Sequence, residues 1–243
     1  MSDLYTIASI GLLDGQQRLD AIAHNAASAS VPGFKRQVAA QRSFAGDLAR
    51  GETGPAAPSA PSTPAASRVD LRAGPMAATG RALDVAIESS DLFFALSDGS
   101  QTWLSRAGAF HVDANGLLVG ERGLRVQGTA GDIRLDNADV EIRADGQIVR
   151  DGVTVAALQL FSPAERATLA PAGGALLSTD AGLLPAEAGS VRLRGGALEG
   201  SNAGSGTEMV DLLALSRQFE SLIRVTQGYD ELLGRTIQKL GEV

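Results

Sequence analysis

The chain has two imidazoles, His24 and His111, and no thiol. A metal centre or a nucleophile–base pair needs several such groups brought together. These two stand apart, His24 at the end of a helical stretch and His111 in a hairpin, and both read as structural or solvated histidines. His111-Val-Asp113-Ala-Asn115-Gly116 echoes a calcium loop at its third, fifth and sixth positions. Its first position would be His111 and its twelfth Arg122, cations where carboxylates must bind. Gly200-Ser-Asn-Ala-Gly-Ser-Gly206 has the glycine content of a phosphate loop without the Lys-Ser/Thr pair that makes one, so it reads as a flexible hinge. The carboxylates are scattered, with no pair placed as acid and base. The sequence points away from catalysis; no cofactor and no metal are expected.

Composition narrows the class further. With 243 residues, one core domain with appendages is favoured over two full domains. Aromatic residues are 4% of the chain while glycine reaches 29 residues, a balance suited to β structure with tight turns. The formal charge of −7, from 21 basic and 28 acidic residues, argues against nucleic acid as a partner. Lys35 and Lys239 are the only lysines, so arginine supplies nearly all the positive charge. No apolar run approaches the roughly twenty residues of a membrane span. The start, Met1-Ser2-Asp3-Leu4, lacks the basic region of a secretory signal, so any export is expected without a cleaved signal peptide.

The periodic stretches lie at the two ends. Ser205-Gly206-Thr207-Glu208 reads as a capping box. Beyond it Leu212, Leu215, Phe219, Leu222, Tyr229, Leu233 and Leu240 follow a 3-4 alternation, with Thr226 and Thr236 in the gaps. That predicts a helical rod of roughly 50 Å whose seam needs a cover. Tyr5, Ala8, Leu12, Gly15, Leu19, Ile22 and Ala26 keep the same spacing near the other end, on a seam of largely small residues that permits close approach. This helix is expected to stop near Ser30, ahead of Pro32 and Gly33. Between Gly46 and Ser67 the Pro/Ala/Ser-rich composition reads as an extended or mobile connector. From Val69 to Leu198, short alternating runs are separated by turn signals. Leu83–Ile87, Leu92–Leu96, Ala109–Asp113 with Gly116–Gly120, Val140–Arg143 with Gln147–Arg150, Thr154–Phe161 and Ser190–Leu193 read as strands. The expected fold is α+β: N- and C-terminal α-helices pairing as a coiled-coil-like stem, with an antiparallel all-β middle domain. The expected divisions are 1–36 for the first helix, 37–68 for the connector, 69–198 for the β domain, and 199–243 for the hinge and terminal helix.

Several stretches carry a family resemblance. Ala23-His24-Asn25-Ala26-Ala27-Ser28-Ala29-Ser30-Val31-Pro32-Gly33-Phe34-Lys35 resembles the signature of bacterial flagellar rod and hook proteins, departing from it at His24, Ala26, Ser28, Ser30 and Val31. Leu83-Asp84-Val85-Ala86-Ile87 with Phe93-Phe94, Arg106-x-Gly108-x-Phe110, Leu198-Glu199-Gly200-Ser201-Asn202, Glu208-Met209-Val210 and Arg217-x-Phe219-Glu220 resemble further motifs of that family, in order along the chain. The nearest likeness within it is to proximal-rod subunits, with distal-rod subunits as the rival.

The resemblance implies a structural, non-enzymatic subunit of the flagellar basal-body rod, which crosses the periplasm. Such subunits are exported through the flagellar type III apparatus and assemble with copies of themselves and other rod proteins into a helical, torque-transmitting tube. On this reading the assembly interface is expected at Tyr5, Leu12, Leu19, Ile22, Asn25, Pro32, Gly33, Phe34, Leu212, Leu215, Phe219, Leu222, Tyr229, Leu233 and Leu240. A secreted adhesin or needle-tip protein with coiled-coil ends and a β domain is the alternative from another class.

Overall fold

Long helices bracket the described chain. In the computed structural model, which describes residues 2–39, 68–137, 139–165, 168–187 and 189–241, α1 spans Ser2–Ala27 and α2 spans Ser205–Gly241. The strands lie between Gln37 and Glu199, and every strand pairing is antiparallel. The fold is therefore α+β. Most of the expected connector lies outside the described residues. Its described ends, Gln37–Val38 and Arg68–Val69, pair with each other, so the chain departs and returns at adjacent points rather than bridging two distant ones.

The body is organised on Phe93–Ser97, which pairs with Thr102–Ser105, Arg125–Gly128 and Leu160–Pro163. The buried core contains Val85, Ile87, Phe94, Leu96, Phe110, Leu118, Ile148 and Leu160. Phe94 and Phe110 meet edge to face, with ring centroids 5.0 Å apart. The His111–Val112 and Leu118–Val119 strands form a hairpin, and Glu141–Ile142 pairs with Gln147–Arg150. The continuous strand expected over Thr154–Phe161 is two strands, Val153–Ala157 and Leu160–Pro163. They belong to different sheets, one pairing with Gln147–Arg150 and the other with Phe93–Ser97.

The helices meet antiparallel, and the contacting face of α1 keeps Gly15 and Ile22 of the expected seam but not its leucines. A Cβ on Gly11 would stand 3.4 Å from Leu222, and one on Gly15 only 2.5 Å from the Phe219 ring, while Asn25 reaches Glu208. The packed face thus carries Gly11, Gly15, Ile22 and Asn25, whereas Leu12, Leu19 and Ala26 face solvent. Gly15 is the physical reason: without a side chain there, the helix accepts a phenylalanine ring against its backbone. On α2 the expected residues from Leu215 to Tyr229 do turn inward. Leu215 is buried, and Phe219, Leu222, Thr226 and Tyr229 are half-buried.

Turn carboxylates supply a pH dependence. Backbone N–H groups of Leu117 and Asn115 donate to Asp113, and those of Ser100 and Gln101 donate to Asp98. These bonds hold both carboxyls below the ordinary aspartate value. A depressed folded-state pKa gives stability that is fully present above the unfolded value and is lost as pH falls through the folded one. The urea midpoint should therefore be flat from neutral pH down to about 5 and should fall below about pH 4. Asp98→Asn with Asp113→Asn should shallow that acid limb. Gly15→Val should force the Phe219 ring away and lower helical content by circular dichroism, while the body keeps its melting temperature.

Candidate functional site: the junction of the helices with the β body

After Ala27 the chain leaves α1 through successive turns, with Ser28 N–H donating to His24, Val31 N–H to Ser28 and Phe34 N–H to Val31. Gly33 has φ +70°, and a Cβ there would lie 2.2 Å from the backbone nitrogen of Ala107. Only glycine accepts both the left-handed backbone and that approach. Its N–H donates to the carbonyl of Glu199 at 2.7 Å, and Phe34 behind it is buried. This turn delivers Lys35 into the protein and sends Arg36 toward α2.

Glu199 is fully buried, and its carboxylate gathers three segments distant in sequence. Oε1 accepts from Lys35 Nζ at 2.6 Å and from the N–H of Gly74 at 3.0 Å. Oε2 accepts from Arg106 Nε at 2.9 Å. Lys35 Nζ also donates to the carbonyl of Arg72 at 2.7 Å, while Arg106 donates to the carbonyls of Ser89 and Leu92 and lies over the Phe93 ring. Lys35 is 3% exposed and Arg106 1%, so neither charge is solvated by bulk water. Burial pulls the Lys35 ammonium below its ordinary value, and the hydrogen bond and charge of Glu199 oppose that shift. Burial likewise lowers Arg106, against the attraction of Glu199.

A second set of bonds ties α2 to the same turn. Glu208 is buried and accepts from Arg36 Nε and Asn25 Nδ2, and Asp211 accepts from Arg36 at 2.7 Å. The hydrogen bond to Glu208 raises Arg36 above the ordinary arginine value. Asn25 also binds both backbone groups of Gln37, accepting its N–H at 2.8 Å and donating to its carbonyl at 2.9 Å. The capping box expected at Ser205 is therefore not what Glu208 serves; its carboxylate turns outward from its helix to Asn25 and Arg36.

The stretch expected as a flexible hinge is also pinned. Gly200 N–H donates to the Pro75 carbonyl at 2.7 Å. Asn202 accepts from Arg36 N–H at 2.6 Å and donates to the carbonyls of Asp70 and Arg72. Its polar side chain finds three backbone partners, and glycine content alone does not reveal that.

The expected interface residues divide by location. Asn25, Gly33, Phe34 and Leu215 are buried inside the subunit, which leaves them no surface for a neighbour. Pro32, Ile22, Phe219, Leu222 and Tyr229 are half-buried; Leu12, Leu19 and Leu212 are exposed. The side chains of Tyr5, Leu233 and Leu240 lie outside the described residues. His24 is half-buried beside the Phe34 ring, and His111 is exposed on its hairpin. Residue-by-residue reading did not identify the Lys35–Glu199–Arg106 cluster. The available signal was that each of its charges sits within one of the motifs.

This arrangement defines a structural building block: terminal helices packed on each other and fastened by buried charges to a β body. Residues 194–239 match the family described as flagellar basal body rod FlgEFG protein C-terminal, and residues 86–150 match the flagellar hook protein FlgE/F/G D1 domain. The chain is 32% identical over 243 residues to the flagellar basal-body rod protein FlgF of Escherichia coli, covering 90% of each. It is 26% identical to the FlgF of Caulobacter vibrioides, covering 94% of each, and 27% identical to the basal-body rod protein FlgG of Bacillus subtilis, covering 92% of this chain and 93% of that protein. The chain belongs to the flagellar basal-body rod protein family. It is a structural subunit of the basal-body rod, not an enzyme. Among the described residues, no helix is long and apolar enough to cross a membrane.

Removing one member of a buried ion cluster leaves the others unpaired, at a cost of about 3–5 kcal/mol. Glu199→Ala should therefore lower the urea midpoint of the full chain by a corresponding amount at unchanged slope. Surface Glu88→Ala, which loses an exposed pair with Arg194, should change stability by under about 1 kcal/mol.

Proposed function

We propose that this chain forms part of the proximal segment of the flagellar rod, assembling through the outward faces of its terminal helices. The nearly full-length likeness to FlgF proteins supports the proximal placement. What carries the assembly reading is the apolar surface left on the helices. Leu13 is 63% exposed on α1, and Met209, Val210 and Leu213 are 59–68% exposed on α2. Leucines on a helix already packed along another face suit contact with a further helix.

In this reading residues 1–36 and 199–243 form a coiled-coil-like stem, and 69–198 form the outward β domain. Interface roles go to Leu12, Leu19 and Leu212, whereas Asn25, Gly33 and Phe34 hold the stem to its own body. Repeated head-to-tail contact without rotational closure builds an open helical tube. Torque then passes through many lengthwise contacts between copies and neighbouring rod proteins. Export through the type III apparatus and passage across the periplasm belong to the same proposal.

The likeness to FlgG favours a second reading, a distal-rod subunit. Basal bodies from a strain lacking its FlgG-type protein should still contain this chain if it is proximal; its absence there would place it distally. Leu13→Glu with Leu213→Glu should leave subunit stability within about 0.5 kcal/mol, because both sites are exposed. Incorporation into purified basal bodies, quantified against wild type at equal export, should nevertheless be lost. Normal incorporation would contradict assembly through these faces.

A further inference from the structure

The tip of the His111–Val119 hairpin carries the one Asn-Gly pair of the chain; Asn25, Asn137 and Asn202 are each followed by alanine. The carboxamide of an asparagine is open to attack by the backbone nitrogen of the next residue, which closes a five-membered imide. A side chain on that next residue obstructs the approach, and glycine has none. Location separates the asparagines further. Asn25 is buried and bound to both backbone groups of Gln37, and Asn202 is held by three backbone partners. Asn115 is exposed, and among the described residues its carboxamide makes a single bond, from Nδ2 to Asp113 at 3.2 Å. Gly116 follows with φ +75°, and its N–H donates to the Asp113 carbonyl at 3.1 Å.

We propose that Asn115 is a site of spontaneous deamidation, and that its conversion loosens the hairpin that Asp113 organises. Solvent base takes the Gly116 N–H proton, the nitrogen bonds to Asn115 Cγ, and the carboxamide nitrogen leaves as ammonia. Water then opens the imide at one carbonyl to give aspartate, or at the other to give isoaspartate. The net change is a water consumed and an ammonia released, with no oxidant, reductant or enzyme required. Gly116 N–H must first leave its bond to the Asp113 carbonyl, so the folded turn converts more slowly than an open chain. Either product removes the Nδ2 donor and sets a second carboxylate beside Asp113, which already accepts from the N–H groups of Asn115 and Leu117. Isoaspartate also lengthens the main chain between those two N–H groups. The adjoining residues are tied to the body: the Gly116 carbonyl accepts from Leu135 at 2.7 Å, and buried Leu118 donates to Ile133 at 2.9 Å. This inference does not depend on the rod-assembly reading.

The test ages the full-length protein in mildly alkaline water enriched in heavy oxygen, beside a urea-unfolded sample and Asn115→Ser, which keeps a residue suited to turns. Peptide mass spectrometry should find one heavy oxygen entering at residue 115 of the folded wild type, with aspartate and isoaspartate both present. The unfolded sample should convert faster. The melting temperature of the converted folded fraction should fall by about 2–4 °C, as expected for losing one hydrogen bond in a chain of this size, while aged Asn115→Ser keeps its own. If residue 115 of the folded protein keeps its carboxamide while the unfolded sample converts, the site is wrongly assigned. Equal conversion at Asn25, Asn137 and Asn202 in the folded protein would overturn it as well. If residue 115 converts and the melting temperature changes no more than that of Asn115→Ser, the loosening of the hairpin is wrong.

Discussion

A single carboxylate sets the geometry of the junction. Glu199 brings together Lys35 from the turn after α1, Arg106 from the centre of the body and the backbone of Gly74, and its own carbonyl receives Gly33 N–H. Two buried cations face this one buried anion, an arrangement costly to desolvate and stable only with every partner in place. Arg106 depends in turn on the carbonyls of Ser89 and Leu92, and Lys35 on that of Arg72. The helices consequently have a fixed attachment on the body only when strands from four regions of the chain are already assembled.

From that anchor the roles of the helical faces follow. Asn25, Arg36 and Glu208 continue the network onto α2, which positions Leu215, Phe219 and Leu222 against the glycine face of α1. Glycine at 11 and 15 lets the helices pack through large side chains on one partner only. Leu12, Leu13 and Leu19 of α1 are then left outward.

Much of this was legible in the sequence. Turn dipeptides such as Asn115-Gly116 and Asp145-Gly146 act through local backbone requirements, so their hairpins were found in place. The inward residues of α2 from Leu215 to Tyr229 followed from periodicity alone. The face of α1 followed only in part: Gly15 and Ile22 of the expected seam lie on it, whereas Leu12, Leu19 and Ala26 do not, because the contact is made where the side chain is missing. Thr154–Phe161 looked continuous because its division between two sheets depends on distant strands. The Gly200–Gly206 stretch suggested freedom through composition, whereas Asn202 and the Gly200 amide lock it through partners more than a hundred residues away. Family motifs located Lys35, Arg106 and Glu199 individually, but only folding brings them within bonding distance.

The most direct test of the fastening is hydrogen exchange of the full-length subunit carrying Glu199→Gln. Loss of the buried anion should release protection together at residues 33–37, 72–75 and 199–203, while Phe93–Ser97 in the body stays protected. Coordinated release of these separated segments is the result this account predicts. Increased exchange confined to the immediate neighbours of residue 199, with the turn after α1 unchanged, would contradict it.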